Sequence, residues 1–356
     1  MSRVGIITLQ GLYNYGNRLQ NYAVQKIAKR CGLKVESILI TQNLKTKKNS
    51  FVNFILESKS TNFFRYCLRF FNFWLFNKSY IKIKKFKYNK NVIEKINIRY
   101  NYLMLGGDQI WNQRYNIFGK LDKLGFQFGC AVDPEFRIPI SPSFGESFIP
   151  DEKKEYCKKW LKDFKYISIR EESGANIIKD LCNINAEILI DPVMMLTSDE
   201  WITDMRLRLK KKNSYCLTCF LGGTNEIMNR QLEILCNGYD IKGVGRYNDK
   251  QSWYGPKGFL SLIYNADLIC TDSFHCLAFA ILFKKPFVVF NRLNCDLTQM
   301  TRLNNLLSIF NMEERYIDKI DMRTLFDIDF SKTEEILNKE RKRFINYINK
   351  WFNYEK

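Results

Sequence analysis

The sequence predicts an α/β protein made of two doubly wound, Rossmann-like domains facing a cleft. Three observations lead there. Short apolar strands alternate with stretches of helical periodicity, polar glycine- and amide-rich loops follow the strands, and the alternation restarts after a polar, basic span from Leu196 to Asn213. At 356 residues the chain is long enough for two such domains, and its 46% hydrophobic and 15% aromatic content excludes a disordered chain.

The elements follow in order. Val4–Thr8 is an apolar strand, Gln10 to Asn17 a polar turn, and Leu19, Tyr22, Ala23, Ile27 and Ala28 recur at helical spacing until Gly32. Lys34–Leu39 alternates as the next strand, so the first forty residues form one βαβ unit with its loop at the strand's carboxyl end, where ligands of such sheets bind. Residues 41–100, rich in Lys, Asn, Phe and Tyr, read as a helical basic-aromatic insertion. There Phe64, Cys67, Leu68, Phe71 and Leu75 share one helical face, with core packing as its expected use ahead of contact with a membrane surface.

From Tyr102 the alternation returns. Strands are expected at Tyr102–Leu105, Arg137–Ser141, Tyr166–Ile169 and Glu187–Ile190, and Asp191-Pro192 closes the series. The second series runs through strands Ser214–Leu221, Asp240–Val244, Leu268–Thr271 and Pro286–Phe290, with helices near Glu226–Cys236, Phe259–Asn265 and Cys276–Phe283. This gives domains of 1–200 and 201–330, and a charged helical tail over 331–356.

Composition excludes several chemistries. The single histidine, His275, rules out multi-histidine zinc sites and two-histidine acid/base pairs. The eleven cysteines are odd in number and sit mostly in apolar runs, as reduced thiols do; the one CxxC, Cys216 to Cys219, lies in a strand-like run, so no metal site is assigned. The formal charge of +19 favours anionic partners, although abundant Lys, Asn and Ile also fit a nucleotide-composition bias. Met1–Thr8 lacks the succession of a secretory signal, and Phe63–Phe76 is interrupted by Arg65, Arg69 and Asn72 and too short to span a bilayer. The expected location is cytoplasmic, at the inner face of the membrane where lipid-linked glycans are assembled.

Three groups of residues could carry chemistry. In Thr271-Asp272-Ser273-Phe274-His275 a strand runs into a helix, Asp272 or Ser273 can cap it, and its first N–H groups favour an anion such as phosphate. His275, in the first turn, can pair with that anion and deliver a proton, or can be a histidine satisfied by its neighbours. Arg170 ends another strand and can grip phosphate or carboxylate, or pair with Glu171 and Glu172. The loops Asn14-Tyr15-Gly16-Asn17 and Gly106-Gly107-Asp108-Gln109-Ile110-Trp111-Asn112 combine amides, an acid and aromatic rings, as sugar-binding surfaces do.

Taken together, Asn14-Tyr15-Gly16 with Leu19-Gln20, Gly107 to Asn112, Ser143-Phe144-Gly145, Ile169 to Gly174, Asp191-Pro192 and Ala266 to His275 resemble, in the same order, the motifs of the polysaccharide pyruvyl transferase family. The resemblance covers about residues 4 to 316. It implies a fold similar to GT-B glycosyltransferases and transfer of an enolpyruvyl-derived group from phosphoenolpyruvate onto a sugar as a pyruvate ketal, with no further cofactor. Arg170 and His275 resemble the donor-contacting positions and are expected to be catalytic. Ser273 and Asp272 are expected to bind the donor with them. Some members carry arginine where this chain has Ser273, and in others glycine follows the histidine, where this chain has Cys276; Ser273 can bond phosphate but brings no charge.

Asn14, Tyr15, Gly16, Asp108, Gln109 and Trp111 are the expected acceptor contacts, with Asp108 as base, and the acceptor is a glycan or lipid-linked oligosaccharide. The alternative is a GT-B glycosyltransferase using a nucleotide-sugar. Nucleic-acid binding ranks last, because the basic residues are dispersed and no nucleic-acid-reading motif is present.

Overall fold

Short apolar runs buried at successive residues, as strands covered on both faces are, alternate with helices whose apolar residues recur every three or four positions and build parallel sheets. A computed structural model of the chain describes residues 2–11, 13–41, 62–114, 117–209, 214–245, 249–293 and 300–352. The part of the expected insertion at 42–61 and the end of the basic span at 210–213 lie outside the described residues.

In chain order the first elements are β1 (Arg3–Ile7), α1 (Tyr15–Arg30), β2 (Lys34–Thr41), α2 (Asn62–Tyr80), β3 (Ile83–Lys87), α3 (Val92–Arg99), β4 (Tyr102–Gly106), β5 (Arg137–Ile140), α4 (Asp151–Leu161), β6 (Ser168–Ile169), α5 (Glu172–Cys182) and β7 (Glu187–Ile188). They are followed by α6 (Ser198–Met205), β8 (Tyr215–Cys219), α7 (Glu226–Leu235), β9 (Asp240–Gly243), α8 (Pro256–Tyr264), β10 (Leu268–Thr271), α9 (Phe274–Leu282), β11 (Phe287–Val289), α10 (Thr301–Phe310) and α11 (Thr333–Phe352).

One sheet has the order β3-β2-β1-β4-β5, another β11-β10-β8-β9, and β6 pairs with β7. Each pairing in these sheets is parallel. The chain moves outward from β1 through β2 to β3 and returns on the other side at β4. It likewise moves from β8 to β9 and returns at β10. Two crevices result, at the carboxyl ends of β1/β4 and of β8/β10, where open α/β sheets bind ligands.

The chain divides into two compact units. The first comprises Met1–Lys59, Asn77–Met195 and Glu340–Lys356, the second Ser60–Phe76 and Leu196–Lys339. The chain leaves the first unit at Met195/Leu196, close to the boundary expected near 200, but two assignments differ from the expectation. The N-terminal part of α2, through Phe76, groups with the second unit. Arg69 donates to the carbonyl of Ser252 and Asn72 to that of Trp253, both at 2.8 Å. The tail is not a separate segment: from Glu340 onward α11 packs on the first unit, with Arg341 donating to Met194 O at 3.0 Å and Trp351 edge-on to Tyr166.

The core of the first unit gathers Leu105, Trp111, Phe128, Phe144 and Ile169; that of the second gathers Cys216, Leu268, Cys270 and Val288 under Met228 and Leu232. The thiols of Cys216, Cys236 and Cys270 lie within 4.8 Å of one another, all buried. Cys219 faces the other side of β8, as strand alternation requires of residues three apart, and meets Cys276 instead, so the CxxC is not a pair.

The face of α2 read as core is turned outward. Phe64, Phe71 and Leu75 are exposed, and Arg69, Phe73 and Phe76 on the other side are buried. Among the described residues no helix is long and apolar enough to cross a membrane.

Candidate functional site

The crevice of the first unit is assembled from β1, β4 and the turn after β6. Thr8 Oγ1 donates to Gln20 Oε1 at 2.9 Å, and Gln20 Nε2 donates to Gly106 O at 2.7 Å, so α1 clamps the end of β4. The next residue, Gly107, has φ +82°, and a Cβ there would stand 1.9 Å from Gln20 Nε2, so only glycine permits this approach.

Asp108 follows. Its Oδ1 accepts from Gln109 N at 2.8 Å and its carbonyl from Ser143 N at 3.0 Å, while Oδ2, buried, has no hydrogen-bond partner among the described residues. Gln109 is partly exposed and lies against Gly145, where a Cβ would meet its Nε2 at 2.4 Å.

Arg170 anchors this loop. Its Nη1 donates to Gly107 O at 3.0 Å and to Asp191 Oδ2 at 2.5 Å, and it stands 3.9 Å from carboxylate oxygens of Asp108 and Glu171. Burial opposes its charge, but Asp191, Asp108 and Glu171 together outweigh burial and hold the guanidinium above its ordinary pKa. Glu171 in turn accepts from Ser143 Oγ at 2.8 Å and Phe144 N at 3.1 Å. The expectation of an open guanidinium gripping a donor is therefore corrected: Arg170 is buried and committed to carboxylates and to a backbone carbonyl.

Two further expectations change. Trp111 cannot cover a sugar, because it is wholly buried, stacked 5.5 Å from Phe128, with its Nε1 donating to Gln127 O at 3.0 Å. Tyr15 and Gly16 are buried in the first turn of α1, and Asn14 acts as its cap, accepting from Asn17 N at 3.1 Å.

What the sequence reading missed is Arg18. It is fully buried, donates from Nη1 to Gln10 Oε1 at 3.1 Å and from Nη2 to Leu9 O, and its Nε has no partner among the described residues. Burial lowers its pKa to about 10, with Asp108 acting in the opposite sense. Its signal in the sequence is a cation in the first turn of a helix that carries no acid there, against the helix dipole. Its partners Leu9 and Gln10 help line a cavity of about 510 Å³ at the ends of β1 and β2, with Gly11, Asn17, Leu39, Ile40 and Phe118.

The crevice of the second unit is built from β8 and β10. Thr271 Oγ1 donates to Cys219 O at 2.8 Å and accepts from Ser273 N at 2.9 Å, which turns the chain sharply into α9. Asp272 does not cap that helix. Its carboxylate instead accepts from Leu221 N at 2.6 Å and Gly222 N at 2.9 Å, tying the loop after β8 to the end of β10. Arg292 Nη2 donates to Asp272 O at 2.8 Å, and its Nε lies 3.5 Å from Oδ2. Burial raises the Asp272 pKa, against the opposing pull of Arg292 and the two N–H groups.

Ser273 stands at the N-cap with extended backbone (φ −101°, ψ 122°) but makes no capping bond, and its buried hydroxyl has no partner among the described residues. His275 is the second residue of α9, edge-on to Phe274 with ring centroids 5.3 Å apart. All nine residues of α9 are buried, so the helix presents Ser273 and His275 from a rigid core element. This arrangement can accept an anion at the helix start and exchange a proton with it.

Comparison with known proteins adds a family. A family model described as polysaccharide pyruvyl transferase matches residues 14–294. No curated protein matches the chain. Among solved structures, the chain is similar to the UDP-GlcNAc 2-epimerase from Neisseria meningitidis, at 11% identity over 98% of this chain and 100% of that one, with a TM-score of 0.47. It is also similar to a glycosyltransferase from Rickettsia africae, at 10% identity over 99% of each chain and a TM-score of 0.47.

Proposed function

We propose, for a chain that belongs to the polysaccharide pyruvyl transferase family, that it moves the enolpyruvyl-derived group of phosphoenolpyruvate onto a sugar diol of a glycan or its lipid-linked precursor, forming a cyclic pyruvate ketal. The observation that carries the donor assignment is the buried Ser273 hydroxyl, without a partner among the described residues, at the start of α9. The donor phosphate takes that hydroxyl and the first N–H groups of α9 as its hydrogen-bond donors.

His275, as imidazolium, protonates the methylene carbon of the donor. The double-bond electrons form the new C–H bond and leave an oxocarbenium-like C2. One sugar hydroxyl adds to C2, returning its proton to the imidazole. The C–O bond to phosphate then breaks, and the second hydroxyl closes the ketal, its proton leaving with inorganic phosphate. Bound phosphate favours the charged imidazole and so keeps the proton source loaded.

The acceptor is assigned to the first unit, in the cavity lined by Gln10 and Asn17, whose amides can bond hydroxyls. Arg170 is a positioning residue that holds the Gly107-Asp108 turn through its bond to Gly107 O.

Against nucleotide-sugar transfer, Glu233 is part of the lining of the second unit's cavity of about 430 Å³. A diphosphate would meet like charge there. The test is release of inorganic phosphate from phosphoenolpyruvate in the presence of a glycan stripped of ketals by mild acid, with mass spectrometry of the product. Release that depends on both substrates and is lost in His275→Ala supports the assignment; activity within a few-fold of wild type in that variant removes His275 from it.

A further inference from the structure

Helix α2 carries an aromatic face that the transfer chemistry does not use. Phe64, Phe71, Trp74 and Leu75 recur at helical spacing and are 70%, 52%, 45% and 44% exposed. The rotation of the helix is fixed from behind. Arg69 and Asn72 are bonded to the carbonyls of Ser252 and Trp253, and Gly255 approaches so closely that a Cβ there would stand 2.8 Å from Asn72 Cβ. The fold thus holds these rings in water, an arrangement that marks a contact surface.

The charge around the face says what it contacts. No acidic residue occurs between Asn62 and Tyr80, Arg65 and Lys78 flank the rings, and the chain carries a net +19. A second copy would bring two strongly positive surfaces together with no acid on either helix to pair with Arg65 or Lys78. An anionic surface has the opposite character, and a helix with Trp and Phe on one side and cations at its edge is suited to the boundary between headgroups and acyl chains.

We propose that the outer face of α2 docks onto an anionic lipid bilayer, lying in its interface with Phe64, Phe71, Trp74 and Leu75 inserted among the headgroups and Arg65 and Lys78 on lipid phosphates. This inference does not depend on the transferase assignment. The full chain is sedimented with vesicles of phosphatidylglycerol and phosphatidylcholine in equal parts, and with phosphatidylcholine alone, at low and high salt. Binding to the anionic vesicles is expected, weakened by salt, and weakened about tenfold or more in Phe71→Ser/Trp74→Ser while the unfolding midpoint stays in place. Arg65→Gln/Lys78→Gln is expected to lose the preference for anionic lipid. Equal binding to both vesicles, unchanged binding by the double serine variant, or a concentration-dependent dimer abolished by it would each overturn the inference.

Discussion

Arg170 and Asp191, twenty-one residues apart in sequence, form a buried ion pair in which the guanidinium also holds the Gly107 carbonyl, so one charge joins three chain segments of the first unit. Removing the acid takes away the one carboxylate hydrogen-bonded to this buried cation and leaves only Asp108 and Glu171, each 3.9 Å away. Asp191→Ala is expected to cost about 3–5 kcal/mol of unfolding free energy, read from urea titration. A loss below about 1 kcal/mol would place the pair among solvent-screened ones.

Gly107 and Gly238 share positive φ, +82° and +80°, but differ in surroundings: a Cβ at Gly107 meets Gln20, whereas at Gly238 nothing lies within 4 Å. Gly238→Ala should therefore cost about 1 kcal/mol of backbone strain alone. Gly107→Ala should cost more and displace Gln20 from Gly106, lowering kcat/KM as well. Equal destabilisation of the two variants contradicts the close approach.

Asp122 supplies a pH dependence. Burial raises its pKa from 3.8 to about 6, against hydrogen bonds from the Phe118 and Gly119 N–H groups. The folded state thus holds this proton more tightly than the unfolded chain, and its contribution to stability falls as pH rises from about 4 to about 6. Asp122→Asn removes that slope, so the variant should gain on wild type between those pH values in urea midpoints. A constant difference across the range contradicts the assignment.

Ser273 and His275 separate stability from function. Replacing a buried hydroxyl that has no partner is neutral or stabilising, so Ser273→Ala should leave the melting temperature in place while raising KM for phosphoenolpyruvate about tenfold. His275→Gln should act mainly on kcat, by about 10²–10³, because an amide can bond phosphate but cannot deliver a proton. Parallel losses of stability and activity in both variants would mark the two residues as structural.

Much of this was legible in the sequence. The β1–α1–β2 opening and the run into Thr271 announce themselves, because short apolar strands and helical spacing are local signals. Strand β3 was hidden within a span read as helical: Ile83-Lys84-Lys85-Phe86-Lys87 pairs only with β2 at the sheet edge, where lysines are tolerated. Helix α6 was hidden in the polar span after Leu196, although Thr197 and Glu200 form the capping box that starts it.

At the site, the motif order located both crevices, but side-chain exposure is a tertiary property. Trp111 looks like a sugar platform in its loop and becomes core only when Phe128, Phe144 and Phe164 close around it. Arg170 looks open until Asp191 arrives beside it, and Arg18 escapes notice because its meaning comes from β1, β4 and burial rather than from its neighbours in sequence.

Calorimetric titration of phosphoenolpyruvate into the purified chain tests the donor assignment most directly. Saturable binding that weakens about tenfold in Ser273→Ala is the predicted result. No heat from phosphoenolpyruvate alongside saturable binding of a nucleotide-sugar, or phosphoenolpyruvate affinity untouched by Ser273→Ala and His275→Gln alike, would contradict it.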